Sequence, residues 1–434
     1  MNYNTDYIDD IFKDEFLTLA SRSYTYREDI HVQVCDKATV LPFVSDLNCT
    51  TKGAGGVIDE NGQYVAISST SQENLMPCGY AVDKEPKYYE ETAIYLGYYI
   101  MQWGHFLVDF VPRLWLLRQH YHGEKLLVLT SNRKSKINGN YLELLSLFGI
   151  SEDKIHYVYE PEKYSRIIVP EMSMVRPVYY SEQSQELFHY IVEKATALNK
   201  YKKYEKIYFS RSKLKKAVMT EIGEPEIERV YRKNGYKIIY PERCSFKELV
   251  FYISNCKEFV SLSGTIPHNI VFARPGTKVV ILNKTYRINT IQLMLNAQAK
   301  ICPIYVDTNI CLFPASPGSG PFWMEIEDNF IRYAKQNGLA LPITATSQNR
   351  IVEYYRRQKR AKKMKKYALM YVRLRDQNLD IGGSVVGAAR PDEFFVDKPI
   401  YYFYREKVKE INTNTNLISL LTNLYHYIRE TGKW

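Results

Sequence analysis

The sequence predicts an α/β protein built as two halves facing a cleft, followed by a basic helical extension. Three observations predict it. From about residue 207 to 296, strands of three to five residues alternate with helices of about ten, the rhythm of βαβ units and a parallel sheet. Residues 30–100 read instead as β-rich, and an α/β texture begins near Gly104. The 434 residues exceed what one core ordinarily organises. The expected division is 1–175 for a first domain, β-rich and then α/β, 176–320 for a second α/β domain and 321–434 for the extension.

The elements follow in order. Short runs rich in β-branched and aromatic residues at 31–40, 64–68 and 94–100, with a Gly-rich turn at 53–56, read as strands. Phe106, Leu107, Phe110, Leu114 and Leu117 form a helical stripe. Strand 126–129, helix 141–148, strands 155–159 and 167–169, and helix 183–198 come next. The regular series then runs from strand 207–209 to helix 225–233, whose proline and acids suit a first turn. Strand 237–239 precedes helix 245–254, where Ser245 and Glu248 have capping-box spacing. Strands 258–262 and 278–282 precede helices near 266–273 and 288–296. A Pro-, Gly- and Ser-rich loop at 313–321 closes the series.

Composition excludes several classes. With 45% hydrophobic and 24% charged residues the chain is neither disordered nor multi-spanning. The uncharged stretch 92–108 approaches the length of a membrane span, but Gly97, Gln102, Gly104 and His105 interrupt it, so a strand running into a helix is expected. The N-terminus is acidic and lacks a secretory pattern. The seven cysteines are scattered and never form Cys-x-x-Cys, which fits a reducing compartment. A cytoplasmic protein is expected, with the glycosylation tripeptides at Asn48 and Asn283 arising by chance.

Three constellations carry candidate chemistry. His105, Asp109 and Arg113 are four apart, so a helix would put them on one face within an apolar run. Buried ionisable groups cost free energy unless paired or working. The row therefore reads either as an Asp109–Arg113 ion pair or as a carboxylate and imidazole facing a cleft, one activating a hydroxyl. In the second, Ser210, Arg211, Lys213, Lys215 and Lys216 follow a strand, at the carboxyl edge where open α/β sheets bind ligands. Arginine offers a fork for phosphate oxygens. A solvated basic loop is the plainer alternative. In the third, strand 258–262 leads into Ser263-Gly264-Thr265 and a helix start, a geometry that presents backbone N–H groups to an anion, though a lone turn of this kind is common. His268 reads as a satisfied helix histidine, and Glu242 ends a strand at the same edge. No HExxH, GxSxG, Walker loop or GxGxxG pattern is present.

In series, these pieces resemble glycosyltransferase family 61, found in bacterial surface-polysaccharide clusters and in plant and animal transferases. The resemblance covers roughly 30–285. It rests on the turn region 55–62, Gly-His-Phe-x-x-acid-x-x-x-Arg-Leu at 104–114 and Tyr-x-Ser-Arg at 208–211. It continues through the acidic helix start at Glu224, Gly-Tyr-x-Ile-Ile-Tyr-Pro-Glu at 235–242 and Ser-Phe-x-Glu at 245–248. Ser-Gly-Thr-x-x-x-Asn-x-x-Phe-x-x-Pro-Gly at 263–276 ends the series.

The resemblance implies a GT-B fold of two Rossmann-like domains and an inverting glycosyltransferase using a nucleotide-sugar donor, UDP-linked in the first instance. It implies that Arg211 and Lys215 or Lys216 hold the diphosphate and that Ser263, Gly264 and Thr265 cradle it. Asn269 and His268 would support that loop, and Glu242 would approach the nucleoside. His105, Asp109 and Arg113 would stand across the cleft near the saccharide acceptor. The family's second phosphate residue is usually Arg and its first-domain acid often Glu, where this chain offers lysines and Asp109. No cofactor is implied beyond the donor, and no essential metal.

The extension carries its own signal. The net charge is +10, and residues 349–375 alone hold eleven Lys or Arg against Glu353. Aromatic and aliphatic residues interleave with them, as on a helix lying on an anionic membrane surface. A lipid-linked acceptor would suit that placement. No recognised nucleic-acid module accompanies the charge. A further helix is expected within 401–434. Two alternatives remain at this stage: a polysaccharide-modifying pyruvyl transferase, and a non-catalytic polysaccharide-assembly protein. The sequence is silent on oligomeric state.

Overall fold

A computed structural model describes residues 1–45, 53–70, 76, 78–198, 200–215, 217, 221–285, 288–308, 322–324, 326 and 328–341. The basic segment 349–375, the helix expected within 401–434, the loop 313–321, Lys216 and the tripeptide at Asn48 lie outside the described residues. The chain is a mixed α/β protein with two principal sheets.

The first sheet has seven strands. Six run in the order Ala54–Ile58, Thr39–Val44, Glu162–Pro170, Lys87–Tyr99, Lys125–Thr130 and Ile155–Tyr157, and Val32–Asp36 also pairs with Glu162–Pro170. Pairings from Glu162–Pro170 to Ile155–Tyr157 are parallel, and those among the early strands are antiparallel. Lys87–Tyr99 lies centrally, and its second half is buried throughout, as expected of an inner parallel strand. That burial explains the uncharged stretch at 92–108. No helix among the described residues is long and apolar enough to cross a membrane. The strand expected at 64–68 is instead a 3₁₀ turn, Ala66–Ser68, with a single bridge from Tyr64 to Ile58.

The second sheet is wholly parallel. In chain order its strands are Lys206–Phe209, Lys237–Ile239, Glu258–Leu262, Lys278–Asn283 and Ile304–Asp307. In space they run second, first, third, fourth, fifth. The strand order therefore reverses between the first and third strands, and open α/β sheets bind ligands outside the carboxyl ends at such a point. Phe209 pairs with Ser261, and Leu262 with Leu282, so the loops after residues 209, 262 and 283 emerge side by side.

The expected helix over 104–117 is broken into four pieces. An α turn Trp103–His105 is followed by a π segment Phe106–Phe110, a 3₁₀ segment Val111–Leu116 and an α turn Leu117–His120. Pro112 is the physical reason: it has no N–H for the carbonyl four residues back, and its ring crowds that carbonyl.

One hydrophobic core runs through both halves, from Leu96, Phe106 and Leu126 to Ile207, Phe259 and Ile281. Smaller clusters cover the outer faces of the two sheets. The chain's first residues pack on the second sheet rather than the first. Asp307 N donates to the Tyr7 carbonyl at 2.9 Å, Asp9 N donates to Asp307 Oδ2 at 2.9 Å, and Phe16 meets Tyr305 edge-on. Asn283 is buried and donates to Asp307 Oδ1, so its amide is occupied within the fold. Cys35, Cys244, Cys256 and Cys302 are free thiols.

Candidate functional site

The start of the broken helix meets the second sheet's turn at close range. Gln102 caps the first turn, its Oε1 accepting from His105 N at 2.7 Å, while its Nε2 reaches Thr265 Oγ1 at 3.4 Å. Trp103 Nε1 donates to Asn269 Oδ1 at 2.9 Å, and Asn269 Nδ2 donates to the Ile266 carbonyl at 2.8 Å. Asn269 thus braces its own loop and grips the other half. Gly104 permits this approach, because a Cβ there would lie 2.7 Å from Thr265 Cγ2 and 3.3 Å from His268 Cδ2.

Here His105, Asp109 and Arg176 form a triad. His105 Nδ1 lies 2.7 Å from Asp109 Oδ2. Arg176 donates from Nε to Asp109 Oδ1 at 2.8 Å and from Nη2 to Oδ2 at 3.2 Å. The Asp109 side chain is 2% exposed and that of His105 39%. The carboxylate is therefore held inside while the imidazole reaches outward. With Nδ1 donating to this carboxylate, a neutral imidazole would present its Nε2 lone pair outward.

Arg113 does not join them, and an Asp109–Arg113 pair does not form. The π and 3₁₀ segments rotate residue 113 off the face that His105 and Asp109 share. Arg113 is fully buried, donates to the carbonyls of Pro170 and Ser69, and lies over the Tyr95 ring at 5.3 Å. Gly97 makes room for it: a Cβ there would lie 3.0 Å from Arg113 Nε.

His268 is buried behind the turn. Its Nδ1 is 2.8 Å from Gln292 Oε1, and Gln292 Nε2 donates to the Pro267 carbonyl and to Asn296 Oδ1. Burial pushes its pKa down to about 4, with the nearby Arg176 charge acting the same way, so this imidazole is neutral.

At the reversal point of the second sheet, the loop after Lys206–Phe209 is tied down. Ser210 Oγ and Ser212 Oγ both donate to Glu228 Oε2, at 2.8 and 2.6 Å. Arg211 N donates to Glu224 Oε1 at 2.8 Å, and its Nε to Glu221 Oε2 at 3.0 Å. Ser263 Oγ accepts from Lys284 N at 3.1 Å, and Lys284 Nζ donates to Glu221 Oε1 at 2.7 Å. Gly264 takes φ +135°, which strains any L side chain. Thr265 precedes the 3₁₀ segment Ile266–Phe272. The Arg211 loop and the 263–265 turn thus stand beside each other, joined through Glu221 and Lys284. Lys215 is exposed farther along the first loop, and Glu242 is exposed in the turn Pro241–Arg243. Among the described residues no three His, Cys, Asp or Glu side chains are grouped to hold a metal ion.

Residues 103–280 match the family model for Glycosyltransferase 61. This stretch is similar to the glycosyltransferase 61 domain. The match opens at Trp103, where the broken helix begins, and ends inside the fourth strand of the parallel sheet. It spans the His105 triad and both loops at the reversal point, and it lends no support to the pyruvyl-transferase or non-catalytic alternatives. No curated protein matches the chain. Sequence reasoning missed three polar residues of this region. Lys284 had the signal that singled out Arg211, a basic residue just past a strand at the same edge. Glu221 and Arg176 had none, because each is brought in by a loop without periodicity.

Proposed function

We propose that this chain is an inverting glycosyltransferase of GT-B architecture, with a donor-binding half at 176–320 and an acceptor-side half before it. It moves a sugar from a UDP-linked donor to a saccharide hydroxyl in cell-surface polysaccharide synthesis. One observation carries the reading: Arg211 and the Ser263–Gly264–Thr265 turn follow neighbouring parallel strands at the strand-order reversal, and Gly104, next to His105, packs against Thr265 of that turn. That is where a pyrophosphate and a reacting sugar would lie together.

In a single displacement, the acceptor oxygen attacks the anomeric carbon and the bond to the diphosphate oxygen breaks with its electron pair. His105 Nε2 takes the hydroxyl proton. Asp109 fixes the tautomer and does not itself reach the acceptor, since His105 and Arg176 occupy its buried oxygens. Arg211 and the turn stabilise charge on the departing diphosphate, so the reading requires no metal. An acceptor on a lipid carrier would place the protein at the cytoplasmic face of a membrane, with 349–375 on the anionic surface.

Thermal-shift titration against UDP, GDP, CMP and phosphoenolpyruvate tests this. UDP is expected to raise the melting temperature of the wild type and to leave Arg211→Ala unmoved. A shift with phosphoenolpyruvate alone, or with none of the four, would end the proposal.

A further inference from the structure

The donor reading leaves the second phosphate-binding cation unassigned. Lys215 is exposed, four residues beyond Arg211. We infer that Lys284 is the second cation of the diphosphate site and that Glu221 is the resident counter-ion of the Arg211–Lys284 pair. The inference rests on the proposed donor site at this edge, and Lys284 lies outside the family match, which ends at residue 280.

Placement is the first argument. Lys284 follows the fourth strand directly, next to the third strand's turn, and its N–H holds Ser263 Oγ at 3.1 Å. The ammonium is directed to the bare side of Gly264. Among the described residues, a Cβ built on Gly264 would meet nothing within 4 Å except Lys284, with Nζ at 3.5 Å and Cε at 3.9 Å. Lys284 alone of the described residues lines that side of the glycine, so the turn has a cation at its wall.

Charge is the second argument. The Lys284 side chain is 4% exposed and that of Glu221 2%. A lysine so deeply placed costs several kcal/mol in desolvation unless something anionic compensates it. Glu221 does so with one oxygen for each cation, Oε1 to Lys284 Nζ at 2.7 Å and Oε2 to Arg211 Nε at 3.0 Å. Its segment, Glu221–Ile222, is held against Phe322–Trp323, and Phe322 places its ring 4.3 Å from Lys284 Nζ. One carboxylate uses one donor on each cation, while guanidinium has five N–H groups and ammonium three. The pair therefore retains donors and a positive excess for a more highly charged anion. Glu221 keeps the two cations together in the absence of donor, and its negative charge opposes the donor when it binds.

Calorimetric titration of the full chain with inorganic pyrophosphate and with UDP tests this. Lys284→Gln alone leaves Glu221 short of a partner and threatens folding, so the decisive comparison is Glu221→Gln against Glu221→Gln/Lys284→Gln. The double variant removes both members of the buried Lys284–Glu221 pair, and Arg211, which also loses Glu221, is 18% exposed and remains in reach of water. Glu221→Gln is expected to bind pyrophosphate more tightly than wild type. Adding Lys284→Gln is expected to weaken binding by about 10- to 100-fold, the usual range for a charge-assisted hydrogen bond. Lys284→Arg should keep most of the affinity. Equal affinity for the single and double variants, with wild type still binding UDP, overturns the role of Lys284 and spares the donor site. A Glu221→Gln variant that binds no tighter than wild type overturns the role given to Glu221. If wild type binds neither UDP nor pyrophosphate, the donor reading falls and this inference falls with it.

Discussion

At the scale of single residues, the informative contrast is between Asp109 and Arg113. Both are buried and both lie on the segment that sequence spacing marks. Asp109 gives its two oxygens to Arg176 and His105, whereas Arg113 spends its donors on backbone carbonyls. In the proposed mechanism the first arrangement orients the base, whereas the second holds a strand and a loop in place. Asp109→Asn keeps the shape but offers an N–H to the imidazole, so the proton can move to Nε2 and the base is lost. Turnover should fall by about 100- to 10,000-fold, the range for removing general base catalysis. UDP affinity should stay near that of wild type, because Asp109 lies apart from the Arg211 edge. Steady-state rates alongside UDP titration check both, and undiminished turnover would remove His105 from its role.

Elements set what such residues can do. The helix Glu224–Lys233 begins with a carboxylate that its dipole should keep ionised. Burial wins instead: Glu224 is 1% exposed, its Oε2 has no hydrogen-bond partner among the described residues, and its pKa is pushed up to about 8. The folded chain thus holds a proton that the unfolded chain releases near the ordinary 4.5, so stability from this group falls as pH rises through that window and is gone above about 8. The melting temperature of Glu224→Gln relative to wild type should climb across the same range and then level off. A difference that stays flat from about pH 5 to 9 would show that Glu224 titrates normally. The regular α/β series was legible because its strands and helices obey local period. Lys237–Ile239 has the bounds the sequence suggests, and Ser245 does accept from Glu248 N, although the Glu248 carboxylate turns to Tyr252 rather than closing the box. The segment from Trp103 to His120 was legible as apolar and helical but not as broken, since periodicity cannot register a proline's missing donor. Arg211 and the 263–265 turn could be anticipated from their place after strands. Arg176 could not, because its meeting with Asp109 depends on tertiary folding.

For the molecule as a whole, the packing bears on cooperativity. A continuous core joins the inner faces of both sheets, and polar contacts reinforce it. Trp103 reaches Asn269, Asn140 Nδ2 donates to the Cys244 carbonyl at 3.0 Å, and Phe246 N donates to Glu143 Oε2 at 2.7 Å. The last of these satisfies a free donor at the start of the helix Phe246–Asn255 with a side chain from the other half. Each half therefore completes the other's packing and hydrogen bonding, and the two should open together. Leu126→Ala in the first sheet removes a fully buried side chain from the shared core, at a cost of about 2–5 kcal/mol. Native-state hydrogen exchange should register that loss in Lys125–Thr130 and, to the same extent, in Glu258–Leu262 of the other sheet. If the amides of Glu258–Leu262 keep their wild-type protection, the halves open as separate units and their shared core does not couple them.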